Sequence, residues 1–331
     1  MNLPETLIIT RQEVAGLLEI KECMNAVEDA FRMQAKGTAL PPKILAIHVP
    51  KGGFHIKAGV MDLGQSYFVA KTNANFPGNM KNNGLPTIQG VIVVSDADNG
   101  RLLALIDSME ITIIRTGAAT GVATKYLSRK EAKIATICGC GNQGRISLKA
   151  VLSVRSLEKI YAYDIDHTQQ CRFIKEMSEA LNVTVIPVDD LKIPIRQSDI
   201  IVTCTPSKEP FLSIEDIKPG AFIAAVGADS EDKQELQSSI LACGKLVVDL
   251  LEQSATIGEL YHALQQQQMT VEHVHAELGE VIAGFKTGRT SEDEIIVFDS
   301  TGTALQDVAA SAIVYKRAKA SGIGVKVNFQ E

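Results

Sequence analysis

The chain has 331 residues, a formal net charge of −6, 45% hydrophobic and 22% charged residues, and no Trp. Its length exceeds the roughly 100–200 residues of one domain, so two domains are expected. An acidic balance without a basic stripe excludes nucleic acid as an expected partner. No apolar run reaches the roughly 18–20 residues of a membrane span, and Met1-Asn2-Leu3-Pro4-Glu5 lacks a basic stretch followed by an apolar one, which reads as cytoplasmic.

Thr10-Arg11-Gln12-Glu13 fits a capping box and predicts a helix after it. Met24, Val27 and Phe31, at three- and four-residue spacing, predict a second helix that ends near Gly37, ahead of Pro41-Pro42. From Lys43 the pattern changes to short segments rich in β-branched and aromatic residues: 43–49, 54–59, 67–73, 88–95 and 102–106. These read as strands of an antiparallel sheet, with turns at Lys51-Gly52-Gly53 and Asp98-Asn99-Gly100. A helix begins near Ser108 and runs through Thr116-Gly117-Ala118-Ala119, whose small side chains predict close packing. The polar run Ser128-Arg129-Lys130-Glu131 reads as a domain boundary.

Beyond it strands and helices alternate: strands at 134–138, 160–163, 183–188, 200–204, 222–226, 246–248 and 295–298, with helices from Gln143 and Thr168. This rhythm predicts a parallel sheet covered by helices. A last helix, 304–318, and a tail strand, 324–329, complete the chain. His273 and His275 alternate as a strand's one-face pair would, without a third ligand, and are read as structural. Cys23, Cys138, Cys140, Cys171, Cys204 and Cys243 have no CxxC spacing, so neither zinc nor a disulfide framework is expected and the thiols are read as reduced and mostly buried.

The segment Gly139-Cys140-Gly141-Asn142-Gln143-Gly144 follows the apolar strand Ile134-Ala135-Thr136-Ile137-Cys138 and opens a helix, which is the context of a dinucleotide phosphate loop. Gly139 makes the turn, Gly141 admits the pyrophosphate and Gly144 packs the helix on the strand. The first N–H groups of the helix then face negative charge. About 20 residues on, Asp164 stands at a strand end, where it would accept from ribose hydroxyls and repel a 2′-phosphate. NAD is therefore favoured, while Arg155 and Lys159 leave NADP open.

With Arg115-Thr116-Gly117-Ala118-Ala119, the loop with its Cys138, Gly227-Ala228-Asp229 followed by Lys233-Gln234-Glu235-Leu236, and Phe298-Asp299-Ser300-Thr301-Gly302, the sequence resembles the ornithine cyclodeaminase and μ-crystallin family. That family includes an archaeal alanine dehydrogenase and ketimine reductases. The resemblance implies an α/β fold in which a Rossmann-type doubly wound domain, here 129–303, is inserted into a second α/β domain, here 1–128 plus 304–331. The second domain's antiparallel sheet would dimerise, giving a homodimer.

The resemblance also implies an NAD-dependent enzyme that passes through an imine of a small amino or imino acid. Arg115, a planar fork suited to a carboxylate, would bind the substrate carboxylate. Lys71 would contact substrate and help catalysis, and Asp229, at the carboxyl end of a parallel strand where such sheets bind ligands, would act as acid or base with a raised pKa and Lys233 as its charge partner. Lys43 would touch substrate; Thr87, Thr116, Thr205, Thr301 and Gly302 would lie near the cofactor. The sequence departs from true ornithine cyclodeaminases on the strand Phe54-His55-Ile56-Lys57, where His55 stands in place of the acid that holds ornithine's distal ammonium and Lys57 adds a positive charge. An imine reductase or amino-acid dehydrogenase is therefore preferred, ahead of cyclodeamination with catalytic NAD and of a binding protein without catalysis.

Overall fold

The computed structural model describes residues 5–329; Met1 to Pro4, read above for a leader, lie outside them. The chain divides into two compact units, Met1–Arg115 with Thr303–Glu331, and Thr116–Gly302. The strands are β1 (Thr6–Ile9), β2 (Lys43–Val49), β3 (Gly52–Asp62), β4 (Ser66–Asn75), β5 (Ile88–Asp96) and β6 (Leu102–Asp107) in the first unit. They are β7 (Ile134–Cys138), β8 (Lys159–Tyr163), β9 (Val185–Pro187), β10 (Ile200–Thr203), β11 (Phe222–Ala225), β12 (Lys245–Val248), β13 (Ala276–Glu277) and β14 (Ile296–Asp299) in the second, and β15 (Val325–Val327) returns to the first.

In the first unit the Glu13 carboxylate accepts both the N–H and the hydroxyl of Thr10, each at 2.8 Å, and starts the helix Arg11–Leu17. The helix Ile20–Ala35 buries Cys23, Met24, Val27, Ala30 and Phe31 as one stripe, as a 3.6-residue period requires. The sheet runs β15-β1-β6-β5-β4-β3-β2. Its five long strands are antiparallel, but β1 pairs parallel with β6, so the sheet is mixed rather than antiparallel throughout. β1 is four residues long, too short to show an alternation in sequence.

The turn expected at Lys51-Gly52-Gly53 is corrected as well, since both glycines lie inside β3. A Cβ at Gly52 would stand 2.3 Å from the Asn75 carbonyl; glycine is needed there for close approach of the neighbouring strand. Register places Lys57 directly opposite Lys71 and His55 opposite Asn73. That face packs on the helix Ala304–Ser321, where a Cβ at Gly59 would touch Leu305, Ala304 and Val308. On the other face Leu45, Ile47, Phe54 and Val91 are exposed.

The second unit holds a parallel sheet in the order β13-β12-β14-β11-β10-β7-β8-β9. From β7 the chain lays β8 and β9 on one side, then returns to place β10 and β11 on the other. The carboxyl ends of β7 and β10 therefore flank the point where strand order reverses, the place where such sheets bind ligands. β10, β11 and β14 are buried along their whole length, which accounts for their unbroken apolar runs. The tight packing expected at Gly117 is present: a Cβ there would meet Ile146 at 2.7 Å.

His273 closes a short 3-10 turn, Val271–His273, and His275 precedes β13, so they do not form the strand pair read from their spacing. His273 Nδ1 accepts from Thr270 N, and His275 Nε2 lies 2.7 Å from the Thr287 carbonyl. The thiols are less uniformly buried than expected: Cys23, Cys138 and Cys140 are buried, Cys204 half-buried, and Cys171 and Cys243 exposed. Among the described residues no helix is long and apolar enough to cross a membrane.

Candidate functional site

The sheet register, the start of the helix Ser108–Leu127 and the helix Ala304–Ser321 assemble a buried charge cluster. Lys71 Nζ lies 2.8 Å from the Asp307 carboxylate and 3.3 Å from Thr112 Oγ1. Arg115 donates from Nε to Asp307 at 3.1 Å and from Nη1 to Gln306 Oε1 at 3.1 Å. Lys71 is 3% exposed, Arg115 6%, Lys57 8% and Asp307 0%. Asp307 sits in the first turn of the helix Ala304–Ser321, where the helix dipole favours an acid.

Burial lowers the Lys71 pKa to about 7, with Arg115 and Lys57 adding to the effect and Asp307 opposing it. Burial works the other way on Asp307, but Lys71 and Arg115 more than offset it and hold its carboxyl below the ordinary value. Three basic side chains thus share one carboxylate in a buried place. Gln306 Nε2, also buried, finds no hydrogen-bond partner among the described residues. A surplus of buried donors and positive charge is the requirement for an anionic ligand such as a carboxylate.

His55, half-buried, lies on this face two residues from Lys57, with the His48 ring 6.2 Å away. Lys43 is not brought to the cluster. It is exposed and pairs with Ala58, which turns it to the opposite face from Lys57 and Lys71, because opposed residues of antiparallel strands share a face. Thr87 is half-buried in the first unit, its carbonyl accepting from Phe76 N.

In the second unit Gly139 has φ +106°, and a Cβ at Gly144 would lie 2.1 Å from the Gly139 carbonyl. A Cβ at Gly141 would meet no protein atom within 4 Å. That open space leaves room for a ligand to approach the backbone closely. Asn142 and Gln143 open the helix Asn142–Leu152, whose first N–H groups have no carbonyl within the helix to bind. One Asp164 oxygen accepts from Cys140 N at 2.7 Å and the other from Asp166 N at 2.9 Å, each retaining a lone pair. These residues fit a dinucleotide's phosphates and ribose.

Arg155 and Lys159 are close to Asp164 in sequence only. Arg155 directs its guanidinium to the carbonyls of Arg129, Thr124, Lys125 and Ser128, and Lys159 begins β8 while Asp164 follows its other end. Thr116 is buried, its carbonyl accepting from Thr120 Oγ1. Asp229, after β11, is 48% exposed and pairs with Lys233 Nζ at 2.6 Å. The pairing with Lys233 is the one expected from the sequence, but the carboxylate is exposed rather than partly desolvated. Burial would lower the Lys233 pKa, but Asp229 outweighs it and the pKa is raised.

A model of the ornithine cyclodeaminase/mu-crystallin family matches residues 4–322. The chain belongs to that family. It is 39% identical to the alanine dehydrogenase of Archaeoglobus fulgidus over 98% of this chain and 99% of that one. It superposes on an archaeal alanine dehydrogenase dimer with bound NAD at TM-score 0.94, with 39% identity, covering 98% and 100% of the two chains. It superposes on the Δ1-pyrroline-2-carboxylate reductase of Thermococcus litoralis, in complex with NADH and L-proline, at TM-score 0.90, with 34% identity and 97% and 100% coverage.

The site residues that sequence reasoning missed in this family member are acids and an amide. Asp307 and Gln306 lie in a helix read only as a return to the second domain. In the Rossmann-type unit, Asp249 accepts from Thr301 Oγ1 at 2.8 Å and Gly302 N at 2.6 Å. Glu235 accepts from Thr205 N and Oγ1, each at 2.7 Å, and from Gly227 N at 2.9 Å. Thr205, Thr301 and Gly302 are thus all held by buried carboxylates. Among the described residues no group of three His, Cys, Asp or Glu could hold a metal ion.

Proposed function

We propose that this chain is an NAD(H)-dependent oxidoreductase of the cytoplasm that reduces a small α-imino acid, cyclic or formed from a 2-oxo acid and ammonia, and oxidises the amino acid in reverse. The observation that carries the reading is the buried cluster of Lys57, Lys71 and Arg115 around the Asp307 carboxylate, which calls for an anion. The names of the Archaeoglobus and Thermococcus relatives support an amino or imino acid as that anion, and their bound NAD and NADH support the cofactor.

Gly139, Gly141, Asn142, Gln143, Gly144 and Asp164 would hold the dinucleotide. When bound, NADH supplies a hydride to the imine carbon, and one proton completes the amine. Arg115 anchors the substrate carboxylate through its fork, with Gln306 Nε2 beside it. Lys71 and Lys57 add positive charge that a cationic substrate tail would meet unfavourably. Asp229, in its pair with Lys233, moves the proton. Residues 116–302 serve as the dinucleotide domain in this reading, and the rest of the chain binds substrate and dimerises. The exposed apolar face of Leu45, Ile47, Phe54 and Val91 and the dimeric archaeal relative support a homodimer.

Purified protein should consume NADH stoichiometrically with pyrroline-2-carboxylate or with pyruvate plus ammonia. Ammonia release from ornithine with catalytic NAD would instead install cyclodeamination; tight NADH binding without turnover in either assay would leave a binding protein. Asp229→Asn should cut turnover by about 10²–10⁴-fold while sparing NADH binding, and retained turnover would remove Asp229 from the mechanism.

A further inference from the structure

Between β11 and Leu236 the chain makes an excursion, residues 227–235, that carries the Asp229–Lys233 pair. Its last residue, Glu235, is fully buried. The Glu235 carboxylate returns to the first residue of the same excursion, accepting from Gly227 N at 2.9 Å, eight residues back. Its other oxygen accepts the N–H and the hydroxyl of Thr205, beyond the end of β10, each at 2.7 Å. Gly227 admits this arrangement because it has no side chain: a Cβ there would lie 2.5 Å from the Glu235 carboxylate and 2.4 Å from the Thr205 carbonyl. The excursion is anchored again from behind, where the Glu259 carboxylate accepts from Glu235 N at 2.8 Å and Leu236 N at 3.2 Å. Asp299 in turn accepts from Glu259 N and Leu260 N.

We infer that Glu235 is a positioning residue whose carboxylate cinches the loop 227–235 shut and ties it to Thr205, and so fixes where Asp229 stands. The inference rests on the proposed function for its catalytic consequence and on geometry alone for the closed loop. Three donors from two strand ends converge on one side chain. An ionised carboxylate accepts all three, since it presents two oxygens and no hydrogen. An amide cannot, because its NH₂ would face one of the same N–H groups. The loop would then lose its closure at Gly227 or its tie to Thr205, and Asp229 would sample several positions instead of one.

Glu235→Gln tests this in the full chain. Hydrogen exchange should rise about tenfold or more in residues 227–235 and little elsewhere, because a closing hydrogen bond has been lost. With an imino acid substrate, kcat should fall about 30-fold while NADH affinity moves less than about threefold. The isotope effect from 4-deuterated NADH on kcat should rise as the hydride step becomes limiting. A purely structural acid would lower Tm and the folded fraction but leave kcat per bound NADH and the isotope effect unchanged; that result overturns the inference. If Glu235→Gln does not fold, Glu235→Asp, which keeps the charge but shortens the reach, is held to the same criteria with a smaller loss. Should the unmodified protein bind NADH and turn over no imino acid, the functional reading fails. Exchange in 227–235 still decides the closed loop, and unchanged exchange rejects it.

Discussion

In the first unit Lys57, Lys71 and Arg115 gather around one buried carboxylate, Asp307, whereas in the second Asp249, Asp299, Glu259 and Glu235 are buried against backbone amides and hydroxyls. Both arrangements satisfy buried polar groups, but they leave different remainders. The cation cluster still has positive charge to offer, and Gln306 Nε2, which has no partner among the described residues, so it suits a ligand. The acids direct their oxygens to the chain's own loop ends and hold Thr205, Thr301, Gly302 and the Asp229 loop in place. One region is built to receive charge, the other to fix geometry.

The largest test of this contrast is Asp307→Asn. Removing the carboxylate takes from the buried Lys71 and Arg115 the acid that pairs with both, a change that costs about 3–5 kcal/mol. Glu259→Gln, by comparison, keeps an acceptor for one of its two amides and should cost about 1–3 kcal/mol. Urea unfolding of both variants would measure the difference, and equal losses would erase the distinction.

Next in size is the response of ligand binding. Arg115→Met should weaken a substrate or product carboxylate by about 10²-fold, the worth of a lost charge-assisted pair. Lys71 adds a pH dependence of defined sign. Its pKa stands at about 7, and a bound anion favours the ammonium form, so binding takes up a proton. Affinity is then fully present below about pH 7 and weakens as pH rises, by up to about tenfold per pH unit. The KM of the carboxylate substrate from pH 6 to 9 reads this directly, and Lys71→Met should flatten it.

Much of this was legible in the sequence where a local rule applied. β2 and β7 have the bounds their composition predicted, and the glycine loop with Asp164 needed only a strand before it and a helix after it. The long-range partnerships were not legible. Nothing near Lys71 in sequence announces Asp307, 236 residues away, and Glu235 reads as a polar motif residue until the fold returns it to Gly227. Lys43 and Lys57 read alike as strand lysines; the pairing of Lys43 with Ala58 sends it to the other face, and a one-residue register shift would have reversed that. Arg155 and Lys159 were misplaced for the same reason, since closeness to Asp164 along the chain hides the length of β8 between them.

The smallest expected effect separates the two units by the sign of a pH slope. Burial pushes the Asp299 pKa up to about 8 from an ordinary value of 3.8; the Leu260 and Glu259 amides pull it back in part, and Asp249 and Glu235 add to the rise. Between about pH 4 and 8 the folded protein therefore keeps a proton that the unfolded chain has released. Stability contributed by this group is whole below pH 4, declines as pH rises through that window, and is level above it. Asp307 runs the other way: its lowered pKa gives stability above the unfolded value that is lost only as pH falls into the acid range. Asp299→Asn, neutral at every pH and still able to accept one of the two amides, should cost about 1–3 kcal/mol at pH 5, as Glu259→Gln does. It should make the decline from pH 5 to 8 shallower in thermal or urea unfolding. A variant with the unaltered slope would mean that Asp299 ionises without cost among its amide donors, and it would then be charged like Asp307.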